Sequence, residues 1–209
     1  MCAAELKFLP EHFLRTDDDD DAVFYRPERM VHHLDDTARA TLSSFYGKTL
    51  PQNARVLDLM SSWVSHLPAA PYAAVTGLGM NRTELEANPQ LSKRVVQNLN
   101  TDSNLPFNDD SFDACLIALS VQYLTQPLDV FAEIGRVLTV DGVCVVSFSN
   151  RCFPTKAVAI WKALDNSGHT GLVTTYIRQS GMFGEPSYVD LSPSPGQSDP
   201  LLVVHARAV

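Results

Sequence analysis

Apolar residues are gathered into short runs separated by polar stretches that carry most of the prolines and glycines. Residues 55–59 read Arg-Val-Leu-Asp-Leu, an apolar run with one carboxylate inside it. The texture changes at once to Met60-Ser61-Ser62-Trp63. Runs that are apolar throughout, rather than alternating, predict strands buried on both faces of a parallel sheet. Such strands are predicted at 55–59, 72–78, 112–120 and 143–148, with 112–120 the most apolar and therefore central, and the more polar 94–100 reads as a further strand. Two more, at 187–191 and 201–205, close the chain as a hairpin-like pair around Ser192-Pro193-Ser194-Pro195-Gly196.

Helical spacing fills the gaps between the strands. Asp35 or Asp36 can cap a helix over 37–46 that puts Ala38, Leu42, Phe45 and Tyr46 on one side, with Gly47 and Pro51 ending it. After the first strand there is room for barely a turn, because Pro68 and Pro71 interrupt. Asn81 can cap a short helix, with Glu84 completing a capping-box pattern and Pro89 stopping it. Pro127 opens a helix carrying Leu128, Phe131, Ile134 and Leu138, and Asp141-Gly142 is read as the turn into the fifth strand. Two further helices are expected at 155–164 and 171–179. Alternating strands and helices with a terminal pair predict a parallel sheet with one reversed strand, in a single domain spanning 1–209. Neither an internal repeat nor an interdomain linker is visible.

Composition narrows the classes. The chain has 209 residues, 45% of them hydrophobic, enough for one sizeable core. A net charge of −8 argues against nucleic acid and against anionic membrane surfaces, both of which need a basic face. No apolar run approaches the length of a membrane span, and residues 1–7 lack the pattern of a signal peptide. Cys2, Cys115, Cys144 and Cys152 are scattered, so buried thiols in a reducing cytoplasm are expected rather than disulfides or a metal. The first fifty residues read as an extension or lid. Within them, Leu6, Phe8, Leu9, Phe13 and Leu14 form an apolar cluster, and Asp17 to Asp21 read as a solvated run. His32 and His33 are adjacent and have no carboxylate at a ligand spacing, which argues against zinc.

The strongest motifs lie in the second half. Leu105-Pro106-Phe107, then Ser111-Phe112-Asp113, leads into the central strand. Glu133, Arg136, Val137 and Leu138 precede Val140-Asp141-Gly142 and the next strand. With Val56-Leu57-Asp58-Leu59 upstream, residues 54–209 resemble the class I S-adenosylmethionine-dependent methyltransferases, in a divergent type 11-like branch whose first motif reads D-L-M-S-S-W. The resemblance implies a three-layer, doubly wound, Rossmann-like α/β fold. Its sheet has seven strands in the order 3-2-1-4-5-7-6, with strand 7 antiparallel. It implies S-adenosylmethionine as cofactor, lying along Asp58, Ser61, Ser62 and Trp63, then Gly79, Met80 and Asn81, then Leu99, Asn100 and Asp102, with Ser120 and Val121 after strand four.

Two departures stand out. Met60 and Trp63 replace glycines that let backbone approach the cofactor. Gly79 stands where an acidic residue usually takes the ribose hydroxyls, so Asn81 or Glu84 is expected to reach the ribose instead. The acceptor, a small molecule, is expected between the N-terminal lid, through Tyr25 and Arg29, and Tyr123, Asn150 and Arg151. Asp58 either orients the loop that follows it, or a cofactor amine through water, or pins backbone amides. His66 is expected to be structural, and no convincing base emerges among His33, His66, His169 and Tyr123. Methyl transfer to an unidentified small molecule is the expected activity. A methyltransferase-like binding or regulatory domain without catalysis is the alternative. Acceptor and oligomeric state are not readable from the chain.

Overall fold

The computed structural model describes residues 7–209; Cys2 and Leu6 lie outside the described residues. The strands are β1 (Arg55–Leu59), β2 (Ala74–Gly79), β3 (Lys93–Val96), β4 (Phe112–Ala118), β5 (Leu138–Phe148), β6 (Ser187–Asp190) and β7 (Leu202–Arg207). The helices are α1 (Asp21–Phe24), α2 (Asp36–Thr49), α3 (Arg82–Ala87), α4 (Pro127–Val137), α5 (Ala159–Lys162) and α6 (Asn166–Ser180). One sheet has the order β3-β2-β1-β4-β5-β7-β6. Strands β1 to β5 pair in parallel, and β7 runs antiparallel to both β5 and β6. This is the strand order and the single reversed strand expected from the sequence.

Strict alternation along the central strands builds two cores. Leu57, Leu59, Cys115, Ile117, Cys144 and Val146 face one side, where Phe131 and Ile134 of α4 and Val173 and Ile177 of α6 cover them. Val56, Ala114, Leu116, Val143 and Val145 face the other, under Ala38, Leu42 and Tyr46 of α2. Those α2 residues are four apart and wholly buried, and the Asp35 carboxylate caps the helix by accepting from the Ala38 N–H at 2.8 Å. The extension over the site is therefore shorter than the fifty residues expected, because α2 is a layer of the core.

Other boundaries shift for identifiable reasons. No helix forms between β1 and β2. Residues 60–73 run as an irregular crossover whose backbone is bonded by side chains: Asn88 Nδ2 donates to Ser62 O and Gln90 Nε2 to Leu67 O. β3 ends at Val96 rather than Asn100, so Leu99 and Asn100 sit in the turn beyond it. Asp141-Gly142 is not a turn but an irregularity inside the long β5. Asp141 has φ 64°, and the β4–β5 register shifts between Phe112 and Ala114. The helix expected at 155–164 shrinks to the four residues of α5, while the next one starts earlier, capped by Asp165 on Gly168 N.

The second-half motifs now have a physical reading. Glu133 and Arg136 pair at 2.6 Å and together hold the backbone around Leu105-Pro106-Phe107. Glu133 accepts from Leu105 N, and Arg136 donates to Leu105 O and Phe107 O. Asp113 receives both the Arg55 guanidinium and the Arg55 N–H, locking the starts of β4 and β1 in register. Replacing Glu133 by Ala leaves the Leu105 N–H without its acceptor and removes one of the two carboxylates on Arg136. It is expected to lower unfolding free energy by about 2 kcal/mol, read by urea titration at neutral pH.

Candidate cofactor and acceptor site

The loop after β1 is organised by Asp58. Its carboxylate is 2% exposed and accepts hydroxyl hydrogen bonds from Ser61 Oγ at 2.5 Å and Ser65 Oγ at 2.6 Å. Ser65 in turn accepts from Asn88 Nδ2. Of the roles expected for Asp58, the loop-orienting one fits this geometry, with hydroxyls rather than backbone amides as partners. Burial pushes the Asp58 carboxyl up to about 6, against the opposing effect of the two serines. Each letter of Met60-Ser61-Ser62-Trp63 then has its own direction. Met60 turns the chain with φ 57°. Ser61 points down to Asp58 and Ser62 sideways to Glu84 Oε2, while the Trp63 indole donates outward to Val31 O. Leu119, at the end of the neighbouring β4, is also left-handed at φ 57°. Two bulky residues in that conformation at adjacent strand ends mark stored strain at a site.

A cavity of about 530 Å³ lies over the carboxyl ends of β1, β2, β4 and β5, where ligands bind in open α/β sheets. Asp58, Ser61, Ser62 and Trp63 line it from β1, and Gly79, Met80 and Asn81 from β2. Leu99, Asn100 and Ser120 line the next wall. Tyr123, Asn150 and Arg151 line the far one, and Tyr25 and Arg29 the cover. Asp102 and Val121 do not line it. Asp102 is exposed with its carboxylate on Asn104, and Val121 is 1% exposed inside the core.

The missing ribose acid has a steric cause. A Cβ on Gly79 would sit 2.1 Å from the Ser61 carbonyl oxygen, because the loop after β1 folds across the end of β2. Asn81 caps α3 by accepting from Glu84 N, as expected, but its amide donates to Tyr25 O and Arg26 O of the cover. The Glu84 carboxylate does not complete a capping box. It accepts from Arg29 N and Ser62 Oγ. The two groups expected at the ribose are thus spent on holding residues 25–31.

The acidic run is also not simply solvated. Asp21 is 3% exposed, lines the cavity, and meets Arg15 at 2.7 Å, Lys156 at 3.1 Å and Asn100 Nδ2 at 3.0 Å. Lys156 is fully buried and also reaches Asp17 and the Asp19 carbonyl. A lone lysine more than a hundred residues away gave no sequence signal for this pairing. Among the described residues no cluster of three His, Cys, Asp or Glu side chains is arranged for a metal ion.

Arg29, in the cover, rests its side chain on aromatic rings. Its guanidinium lies 4.5 Å from the Phe24 ring centroid and 5.2 Å from that of Phe153, donating to Phe24 O and Pro27 O. Arg151 pairs with Asp199 at 2.8 Å. Burial raises the Tyr123 phenol to about 12, and its oxygen accepts from Phe153 N. Burial pulls the His66 imidazole down to about 4, so it is neutral at physiological pH. Phe153, Leu119 and Gln97 also line the cavity and carried no distinguishing sequence signal.

Two outcomes are expected. Gly79→Ala should cost at least about 2 kcal/mol, read by chemical unfolding, since the clash is with backbone. For Asp58, the folded value is raised above the unfolded one, so the folded state binds the extra proton between about pH 4 and 6. Its desolvation penalty is full above pH 6 and gone below about 4. The stability of the natural protein relative to Asp58→Asn should therefore rise by up to about 3 kcal/mol as pH falls from 7 to 4.

Comparison with known proteins finds similarity to methyltransferases. A family model described as a methyltransferase domain matches residues 60–146. The biotin biosynthesis bifunctional protein BioHC of Teredinibacter turnerae is 29% identical over 79 residues, which is 38% of this chain and 14% of that protein. An S-adenosylmethionine-dependent methyltransferase from Mesorhizobium loti superposes with a TM-score of 0.57 at 15% identity, over 80% of this chain and 98% of that one. Geranyl diphosphate C-methyltransferase from Streptomyces coelicolor, solved with S-adenosyl-L-homocysteine, gives a TM-score of 0.53 at 14% identity, over 80% of this chain and 77% of that one. The sheet order and the cavity at its carboxyl edge are those of the class I methyltransferase fold, and residues 60–146 match a methyltransferase domain.

Proposed function

We propose that this protein transfers the methyl group of S-adenosylmethionine to a small-molecule acceptor held beneath residues 21–33. The observation that carries the reading is a hydroxyl. Ser120 Oγ is buried, has no hydrogen-bond partner within the protein, and belongs to a residue that lines the cavity. A buried donor without a partner is costly and is relieved by a polar ligand atom. The cavity volume suits a nucleoside-sized ligand, so the residues present fit the cofactor. Asp58, Ser61, Ser62, Trp63, Gly79, Met80, Leu99, Asn100 and Ser120 would hold it, with Asn81 holding the cover above it.

When bound, the cofactor supplies a methyl group on a sulfonium, ready for in-line displacement by a nucleophile. The chain does the rest by placement. Asp58 and Glu84 put carboxylates on the side that would face a cationic ligand. Residues 21–33, gripped by Asn81, Glu84 and Trp63, keep water from the reacting centre. Tyr123 and Phe153, stacked with centroids 5.9 Å apart, form a wall that orients the acceptor. No helix is long and apolar enough to cross a membrane among the described residues. Cys115, Cys144 and Cys152 are free thiols, which suits the cytoplasm as the compartment.

A second reading, ligand binding without catalysis, is favoured by Asn81 and Glu84 being committed to the cover. Calorimetry with S-adenosylmethionine and S-adenosylhomocysteine, followed by turnover over an acceptor panel, separates the two. Saturable binding with methyl consumption is expected. Binding without any turnover would support the second reading, and no binding by folded protein would end both. Ser120→Ala should weaken S-adenosylhomocysteine several-fold while leaving the free protein at least as stable as before, since it removes a buried hydroxyl that has no partner there.

A further inference from the structure

Of the charged residues lining the cavity, Asp58 and Glu84 lie toward the ends of β1 and β2, Arg29, Arg151 and His33 lie toward the cover and the end of β5, and Asp21 of the cover is already paired with Arg15 and Lys156. The imidazole of His33 registers this. Burial lowers its pKa most, Arg29, Arg151 and His32 lower it further, and Glu84 opposes them. The cations are not equivalent. Arg151 is neutralised by Asp199. Arg29 has no ion pair among the described residues.

Arg29 is also shaped for recognition. Its guanidinium is held by Phe24 and Phe153, whose rings lie edge-to-face at 5.4 Å, and by two carbonyls that take only two of its five N–H groups. The remaining N–H groups belong to a planar fork suited to a carboxylate. Beside it the wall is aromatic: Tyr123 stacks on Phe153, His33 meets the same ring edge-on at 5.6 Å, and Tyr25 packs edge-to-face on Phe24. Flat rings of this kind take a flat partner.

Resting on the methyltransferase reading, we propose that the acceptor is a planar, ring-containing acid, with Arg29 as the residue that selects its carboxylate. The acid completes the ion pair that the chain leaves open, and its ring lies against Tyr123 and Phe153. This orientation puts the carboxylate under the cover and the rest of the ring toward the cofactor side.

The test uses 4-hydroxybenzoate and its neutral isostere 4-hydroxybenzamide. Each is titrated calorimetrically into the protein, with and without saturating S-adenosylhomocysteine. The acid is expected to bind about tenfold more tightly than the amide. Arg29→Met should bring the acid to the level of the amide with S-adenosylhomocysteine affinity retained, and Arg29→Lys should restore part of the preference. Equal binding of acid and amide overturns the proposal. So does an acid preference that survives in Arg29→Met, or the absence of saturable binding by either probe into the millimolar range. Failure to bind S-adenosylhomocysteine, with the acid preference intact, would remove the cofactor reading and leave the acid site standing.

Discussion

The buried carboxylate of Asp58 is the constraint on which the site depends. A lone carboxylate in an apolar strand is costly, and two serine hydroxyls three and seven residues on offset that cost. Meeting it fixes the path of the loop after β1. The loop cannot form a helix while Ser61 and Ser65 both turn back to one oxygen and Asn88 holds Ser62 and Ser65 from outside. The crossover is therefore non-helical, its Ser61 carbonyl lies against Gly79, and the end of β2 has no room for a side chain. One buried charge thus accounts for the serines of the loop after β1 and for the glycine in place of an acid at the end of β2.

The fold was legible because it rests on local signals. Uniformly apolar runs gave four of the five parallel strands, and the Glu133–Arg136 pair with the Leu105 loop gave their order a recognisable motif. Boundaries were less legible where tertiary bonds override propensity. Asp141 bends β5 without ending it because its N–H is held by Ala208 O and its carbonyl by Arg207. Leu99 and Asn100 were correctly placed near the cavity but assigned to a strand that stops at Val96.

The site was legible in its floor and illegible in its cover. Residues at strand ends follow from topology, so Asp58 to Trp63, Gly79 to Asn81 and Ser120 could be placed without knowing any contact. Asp21 could not. Its burial depends on Lys156 and Arg15, and nothing in a run of five aspartates distinguishes the one that turns inward. Glu84 shows the same limit from another side. Local spacing made it a capping residue, while its carboxylate serves Arg29 N, 55 residues upstream.

The cover is gripped by its main chain. Asn81 takes Tyr25 O and Arg26 O, Glu84 takes Arg29 N, and Trp63 takes Val31 O. Closure therefore makes few demands on the identity of the residues that are closed over. Their side chains can be exchanged while the clasp stays the same, so the surface facing the acceptor can diverge independently of the surface facing the cofactor. The molecule thus keeps the fastening of the cover, which is main-chain, apart from the side chains of Tyr25, Arg29, Val31 and His33 that line the cavity.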